Sequence, residues 1–160
     1  MEIMLRRAEE KDAPVLWDMQ KRAFSPLLEK YQDYSTNPAC ESIEKIIDRL
    51  HQPHTDYYVI CTEKGEAGGV RVVRRRDGRC RISPLFVTPE YQRQGIAQAA
   101  MRRLEEIYPG VQWELNTILQ EQGNCHLYEK LGYRRTGEYE CVNEKMTLVY
   151  YRKLARRQSG

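Results

Sequence analysis

Three groups of residues in this chain could do chemistry. The first is Gln92, Arg93, Gln94, Gly95, Ile96 and Ala97, which follows the apolar run 85–87 and opens a segment with helical spacing. A glycine turn that feeds a helix start leaves several backbone N–H groups unpaired and aimed one way, and these can bind a phosphate or pyrophosphate. Gly95 and Ala97 are small enough to let such a group approach, and the side chain of Arg93 or Gln92 could assist. The second group centres on Tyr128, which shares a short helical segment with Leu127 and Leu131; taken alone it would serve equally as a core or rim aromatic. The third is Glu29, Tyr31, Asp33 and Tyr34, whose carboxylates and ring faces suit a cationic amine. Cys125 and His126 lack a third, orienting group, so Cys125 is read as packing rather than as a nucleophile.

The elements around these residues follow from periodicity. Ile96, Ala97, Ala100, Met101, Leu104 and Ile107 make one face of a helix that Pro109 and Gly110 stop. There is no G-x-x-x-x-G-K-[ST] and no G-x-G-x-x-G followed by a ribose-binding acid, which argues against an NTPase or a dehydrogenase. Upstream, a strand is expected over 3–8 and a helix opening at 9–12 that carries Ala13, Leu16, Met19 and Ala23. Residues 24–38, rich in Pro, Tyr, Ser and Asp, read as a long irregular segment before a helix bearing Ile43, Ile46, Ile47 and Leu50. Strands are expected over 56–62, 68–75 and 79–87, the last two joined by an Asp77-Gly78 hairpin turn. Pro84 cannot donate to a sheet ladder and marks an edge or a bulge. A fifth strand over 111–117, a helix over 123–131 and closing strands over 133–139 and 145–153 complete the order β-α-α-β-β-β-α-β-α-β-β.

The segment 92–97 fits [QR]-x-x-G-x-[GA] after a strand ending in Val, and it resembles the acyl-CoA pyrophosphate loop of the GNAT superfamily of N-acetyltransferases. A second segment, Gly123 through Tyr133, is similar to the helix of that family ending in Y-E-K-L-G-[FY]. The resemblance implies an α+β fold: a mostly antiparallel sheet of about seven strands, splayed between the fourth and fifth, with four helices around it. It implies acetyl-CoA as co-substrate, its pyrophosphate on the amides of 92–97 and its pantetheine paired with the backbone of Phe86 and Val87. Asn124 would contact the cofactor, although many relatives carry that Asn seven residues before the Tyr, where this chain has Glu121. Tyr128 would be the general acid at the CoA sulfur; with reference pKa values of about 10 and 8.5, full proton transfer to the thiolate is uphill by roughly 2 kcal/mol. Relatives often place a basic Glu on the fourth strand, where this chain has Ser83 and Pro84, which leaves water or an acid such as Glu29, Asp33 or Glu114 to take the proton. The acceptor, a primary amine of a small molecule or peptide, would enter beside the first two helices near Glu29, Tyr31, Asp33 and Tyr34 and attack directly in a ternary complex.

Composition narrows the alternatives. The chain has 160 residues and a formal charge of +3, which suits one domain over 1–154 with a basic tail, 155–160, expected to be disordered. Its five cysteines form no C-x-x-C pair and no leading apolar segment precedes them, so a reducing cytoplasm is the expected setting. His51 and His54 lack partners at metal-ligand spacing, so no metal is expected. No run is long and apolar enough for a membrane helix. Arg71, Arg74, Arg75, Arg76, Arg79 and Arg81 crowd the hairpin and would welcome an anion. Two other functions remain open on this reading: a non-catalytic acyl-CoA-binding regulator, and a nucleic-acid-binding protein that uses the arginine hairpin. A homodimer is compatible with the sequence.

Overall fold

A computed structural model describes residues 2–154; the tail expected to be disordered lies outside the described residues. Seven strands form one sheet: β1 (Ile3–Arg7), β2 (Thr55–Thr62), β3 (Gly65–Arg74), β4 (Arg79–Val87), β5 (Gln112–Ile118), β6 (Arg134–Asn143) and β7 (Met146–Lys153). Their order is β1-β2-β3-β4-β5-β7-β6, and every pairing is antiparallel except β4 with β5. Helices α1 (Ala13–Tyr31), α2 (Ile43–His51), α3 (Ile96–Ile107) and α4 (Gln122–Lys130) cover the two faces.

Alternation along the strands decides which residue feeds which face. In β2, Tyr57 and Val59 pack with Ala13, Leu16 and Met19 of α1 and Ile46 of α2. The intervening Tyr58 and Ile60 join Ile96, Ala100, Met101 and Leu104 of α3 on the other face. Burial on both sides is why this strand reads as a nearly continuous apolar run.

One expectation needs correcting. Residues 24–31 are not irregular, because α1 continues through Pro26 to Tyr31 and ends at Gln32 in a left-handed conformation (φ 54). Pro26 removes a helical donor, but it lies on the exposed side, where water can satisfy the carbonyl it leaves. Contacts distant in sequence then hold the extra turns: the Tyr31 hydroxyl donates to Glu121 Oε2, and Asn143 Nδ2 donates to the Tyr31 carbonyl at 3.0 Å. Only 32–42 is an irregular connection, interrupted by a short turn over 38–40 that the Asn37 side chain caps. Two strands outrun their expected bounds, β3 starting at Gly65 and β6 reaching Asn143.

The bulge expected at Pro84 is present. Val70 pairs with Leu85 but Val72 pairs with Ile82, so Ser83 and Pro84 together face Arg71. Arg71 Nη1 donates to the Ser83 carbonyl at 2.8 Å and steadies the bulge from the neighbouring strand. Beyond it, β4 presses so closely on β3 that a Cβ at Gly68 would run into the Phe86 carbonyl oxygen, with the carbonyl carbon at 2.9 Å. At Gly69 a Cβ would meet Phe86 Cζ at 2.6 Å. These glycines are therefore required by the seating of the last residues of β4.

Gly68→Ala must displace main chain rather than a flexible side chain, and is expected to destabilise the protein by about 1–3 kcal/mol in urea unfolding. Gly123→Ala, where a Cβ meets nothing within 4 Å, should leave the urea midpoint equal or higher.

Candidate active site

Strands β4 and β5 pair over only three positions, Arg79 with Gln112, Cys80 with Trp113 and Arg81 with Glu114. From there β5 stays with β7 as far as Ile118, while β4 stays with β3 as far as Val87. The two strands diverge, and a cleft of about 300 Å3 opens between them. Ser83, Pro84 and Leu85 form one wall, Asn116 and Ile118 the other, Asn124 and Tyr128 of α4 close one end, and Phe24 and Leu27 of α1 lie across it.

Helix α4 places Tyr128 by burying its own inner side. Cys125 is buried, with its Sγ 3.8 Å from the carbonyls of Ile118 and Leu119, which agrees with a packing role. The Tyr128 ring packs against the rings of Tyr133 and Tyr151, both with centroids 6.1 Å away. Its hydroxyl makes no hydrogen bond among the described residues, although it lines the cleft. Burial, with a smaller contribution from Cys125, pushes its pKa up to about 12, so the phenol holds its proton throughout the neutral range.

Past the end of β4, the chain turns through Arg93 (φ 64) and Gly95 (φ 78) into α3. The first helical hydrogen bond runs from Ala99 N to the Gly95 carbonyl, so the amides of Ile96, Ala97 and Gln98 have no acceptor in the helix. A Cβ at Gly95 would meet nothing within 4 Å, which leaves the approach to these amides open. Ile96 is buried and ties the turn to the core. Gln92 Nε2 donates to the Val87 carbonyl at 2.8 Å and Gln94 Nε2 to the Glu90 carbonyl at 3.2 Å, so both side chains build the turn. Glu90 is in turn held by Arg22 of α1 at 2.8 Å. Arg93 is exposed, and its side chain has no partner among the described residues.

The acidic and aromatic residues are dispersed. Asp33 lines the cleft but is only 3% exposed; it accepts hydrogen bonds from Thr36 N, the Thr36 hydroxyl and the Ser35 hydroxyl. Burial would raise its pKa, and those hydrogen bonds outweigh burial and hold it below the usual carboxylate range. Tyr31 points away to Glu121, which also receives Lys30 Nζ at 2.7 Å; these bonds outweigh burial and keep Glu121 charged. Glu29 and Tyr34 do not line the cleft, and Tyr34 is 68% exposed. Glu114 sits at the closed end of the strand pair, 2.9 Å from Arg79. Phe86 turns its ring into the core on the α1 side, 6.2 Å from that of Phe24, and does not line the cleft. Asn124 is inside α4 rather than at its cap, where Glu121 stands.

Sequence reasoning counted Arg81 only as one of the clustered hairpin arginines and passed over Asn116, and both are on the cleft wall. Strand alternation puts Arg81 on the same face as Arg79, but only the point where β4 and β5 part shows that it borders an opening. The arginine hairpin is only partly neutralised: Arg74 meets Asp56 at 3.0 Å, Arg79 and Arg75 share Glu114, and Arg71 bonds neutral acceptors. Among the described residues no cluster of His, Cys, Asp and Glu could hold a metal ion, and no helix is long and apolar enough to cross a membrane.

Known proteins resemble this chain at two levels. A Bacillus subtilis (strain 168) protein, described as uncharacterized protein YrkN, is 27% identical over 135 residues, spanning 82% of this chain and 72% of that one. Among solved structures, the ribosomal-protein-S18-alanine N-acetyltransferase of Escherichia coli superposes with a TM-score of 0.77 at 15% identity, over 99% of this chain and 97% of that one. The spermidine N-acetyltransferase of Vibrio cholerae, in complex with CoA and spermine, superposes with a TM-score of 0.75 at 15% identity, over 96% and 95% of the two chains. Such identities show a shared fold. The family model described as "Acetyltransferase (GNAT) family" matches residues 15–133, most of the chain, and with it this protein belongs to the GNAT family of acetyltransferases.

Proposed function

We propose that the protein transfers an acetyl group from acetyl-CoA to a primary amine of a small molecule or peptide, by direct attack within a ternary complex. The observation that carries this reading is the Tyr128 hydroxyl, without a protein partner, on the wall of a cleft that opens where β4 and β5 separate. Relatives of the same fold include a protein N-acetyltransferase and a spermidine N-acetyltransferase crystallised with CoA, which makes a CoA thioester and an amine the fitting pair of substrates.

The residues suit that pair. The free amides at the start of α3, with Gly95 leaving them accessible and Arg93 exposed beside them, would hold the pyrophosphate. Past Arg81, β4 has no strand partner on its β5 side, so its main chain around Phe86 and Val87 is open to the amide groups of a pantetheine arm. A main-chain N–H near Val87 would stabilise the charge that develops on the thioester oxygen. The thioester supplies the acetyl group and a thiolate departs; Tyr128 donates a hydrogen bond to that sulfur, and Asn124, on the same helix wall, contacts the pantetheine end. None of Glu29, Asp33 and Glu114 is free beside the cleft, so the amine gives up its proton to solvent. A role in nucleic-acid binding loses part of its charge basis, since Arg74, Arg75 and Arg79 are ion-paired, and a purely regulatory acyl-CoA binder leaves the position of Tyr128 without a purpose.

Release of CoA from acetyl-CoA with a panel of amines tests the reading. Tyr128→Phe is expected to lower kcat at least about tenfold with little change in the KM for acetyl-CoA, because the hydroxyl acts on the departing sulfur and not on the bound nucleotide; unchanged turnover would remove the assignment.

The pH profile gives an independent check. A base on the protein would fix the acidic limb of kcat/KM at one pKa for all acceptors, whereas loss of the proton to solvent makes that limb follow the pKa of each amine. Acceptors of different basicity should therefore give displaced limbs. Tyr128, with its pKa pushed up to about 12, stays protonated as the pH rises through 8 to 10 and should add no alkaline limb there.

A further inference from the structure

We propose that Arg81 binds a carboxylate of the acceptor, and that the preferred acceptors are amino acids with an apolar body rather than polyamines; this rests on the transferase reading above. Arg81 is the last residue of β4 to pair with β5, and it lines the cleft at the point where the strands part. The carboxylate opposite it in the sheet, Glu114, is already engaged by Arg79 at 2.9 Å and Arg75 at 3.6 Å. Among the described residues Arg81 has no carboxylate within 4 Å and no side-chain hydrogen bond. It is half-buried. Its planar fork matches a carboxylate through two parallel hydrogen bonds.

The rest of the lining agrees in sign. Asp33 is the one acidic residue on the described wall, and its carboxylate is buried and turned onto Ser35 and Thr36. Arg71, one strand away, is bonded to the Ser83 carbonyl and to Gln52 Oε1, both neutral, so it adds positive charge behind the bulge without a compensating acid. The carboxylate of Glu41, which might have offset it, is held by Arg49 at 2.6 Å and Lys45 at 3.3 Å. A polyamine would bring several positive charges to a wall that offers an unpaired arginine and no open carboxylate. Leu27, Leu85, Met146 and Leu148 line the same cleft as Arg81 and Tyr128, which suits a hydrocarbon side chain on the acceptor.

Matched acceptors test this directly: phenylalanine and leucine against their carboxamides, with spermidine as a polyamine, each read by CoA release at one common pH at which spermidine stays polycationic, with kcat/KM corrected for the neutral fraction of the reacting amine. The free acids are expected to exceed their amides in kcat/KM by about tenfold or more, since the amide leaves the guanidinium without its ionic partner. Arg81→Gln should raise the KM for the acids about tenfold, change their kcat less than about twofold and abolish the preference for acid over amide; Arg81→Lys should restore part of it. Equal use of acids and amides by the unaltered protein, a preference for spermidine, or a fall in kcat for every acceptor alike in Arg81→Gln would each overturn the proposal. Calorimetry with acetyl-CoA separates the two levels: absent binding overturns the transferase reading and this one with it, whereas binding and transfer without a preference for acids overturns this one alone.

Discussion

A strand edge left open inside the molecule governs the rest of the architecture. Beyond Arg81, β4 presents main-chain donors and acceptors that neither β5 nor any other strand among the described residues satisfies on that side. Such groups are costly when shielded from water without partners, so an opening of this kind persists only where the surroundings prevent the strands from closing. Several features do so together. The Ser83–Pro84 bulge, tied to Arg71, redirects β4. Gly68 and Gly69 let the end of β4 lean onto β3. Gln92 takes up the Val87 carbonyl and leads the chain directly into the α3 turn, so the open edge and the free helical amides are consecutive in space as well as in sequence. An extended ligand carrying amides at one end and a diphosphate at the other matches that succession.

The opposite wall depends on a different set of interactions. Glu121 binds Lys30 and Tyr31 at the end of α1, while Asn143 of the β6–β7 hairpin binds the Tyr31 carbonyl. This brace links three segments distant in sequence and sets the height of α1 over the cleft, where Phe24 and Leu27 lie. Glu121 occupies the position at which the sequence comparison looked for an asparagine beside the cofactor. Its charge, kept ionised by Lys30 and Tyr31 against the effect of burial, is spent on holding the wall together. Asn124, for which we propose that role, stands one helical turn before Tyr128.

What could be read in the sequence was local. The α3 turn combines a glycine, a preceding apolar strand and a six-residue apolar stripe, and each signal acts over a few residues. Pro84 marked its own bulge for the same reason. The helical turns over 24–31 were hidden because Pro26 and the polar residues after it normally end a helix, and the bonds that sustain them come from Glu121 and Asn143. The arginine hairpin was only partly legible in a related way: Arg79 and Glu114 are separated by 35 positions, so some of the charge that looks concentrated along the chain is neutralised across the sheet. Arg81 could be recognised only by subtraction, after the neighbouring carboxylates had been assigned to other partners.

The chemistry open to Tyr128 follows from its surroundings. Two aromatic neighbours fix the ring and exclude water from its sides, and this same burial disfavours the phenolate. Against a thiol of ordinary pKa near 8.5, a phenol shifted to about 12 is a poorer proton donor than tyrosine in water. In the proposed transfer, a thiolate leaving into the same cleft would be desolvated as well, so that its own pKa would rise and the mismatch narrow. On the proposed reading the hydrogen bond would remain favourable throughout, because the hydroxyl has no competing partner among the described residues and the ring is held by packing before substrate arrives. Preorganisation of this kind needs no complete proton transfer: the interaction strengthens as negative charge gathers on sulfur, and a donor that keeps its proton is available at every pH where the acceptor amine is reactive.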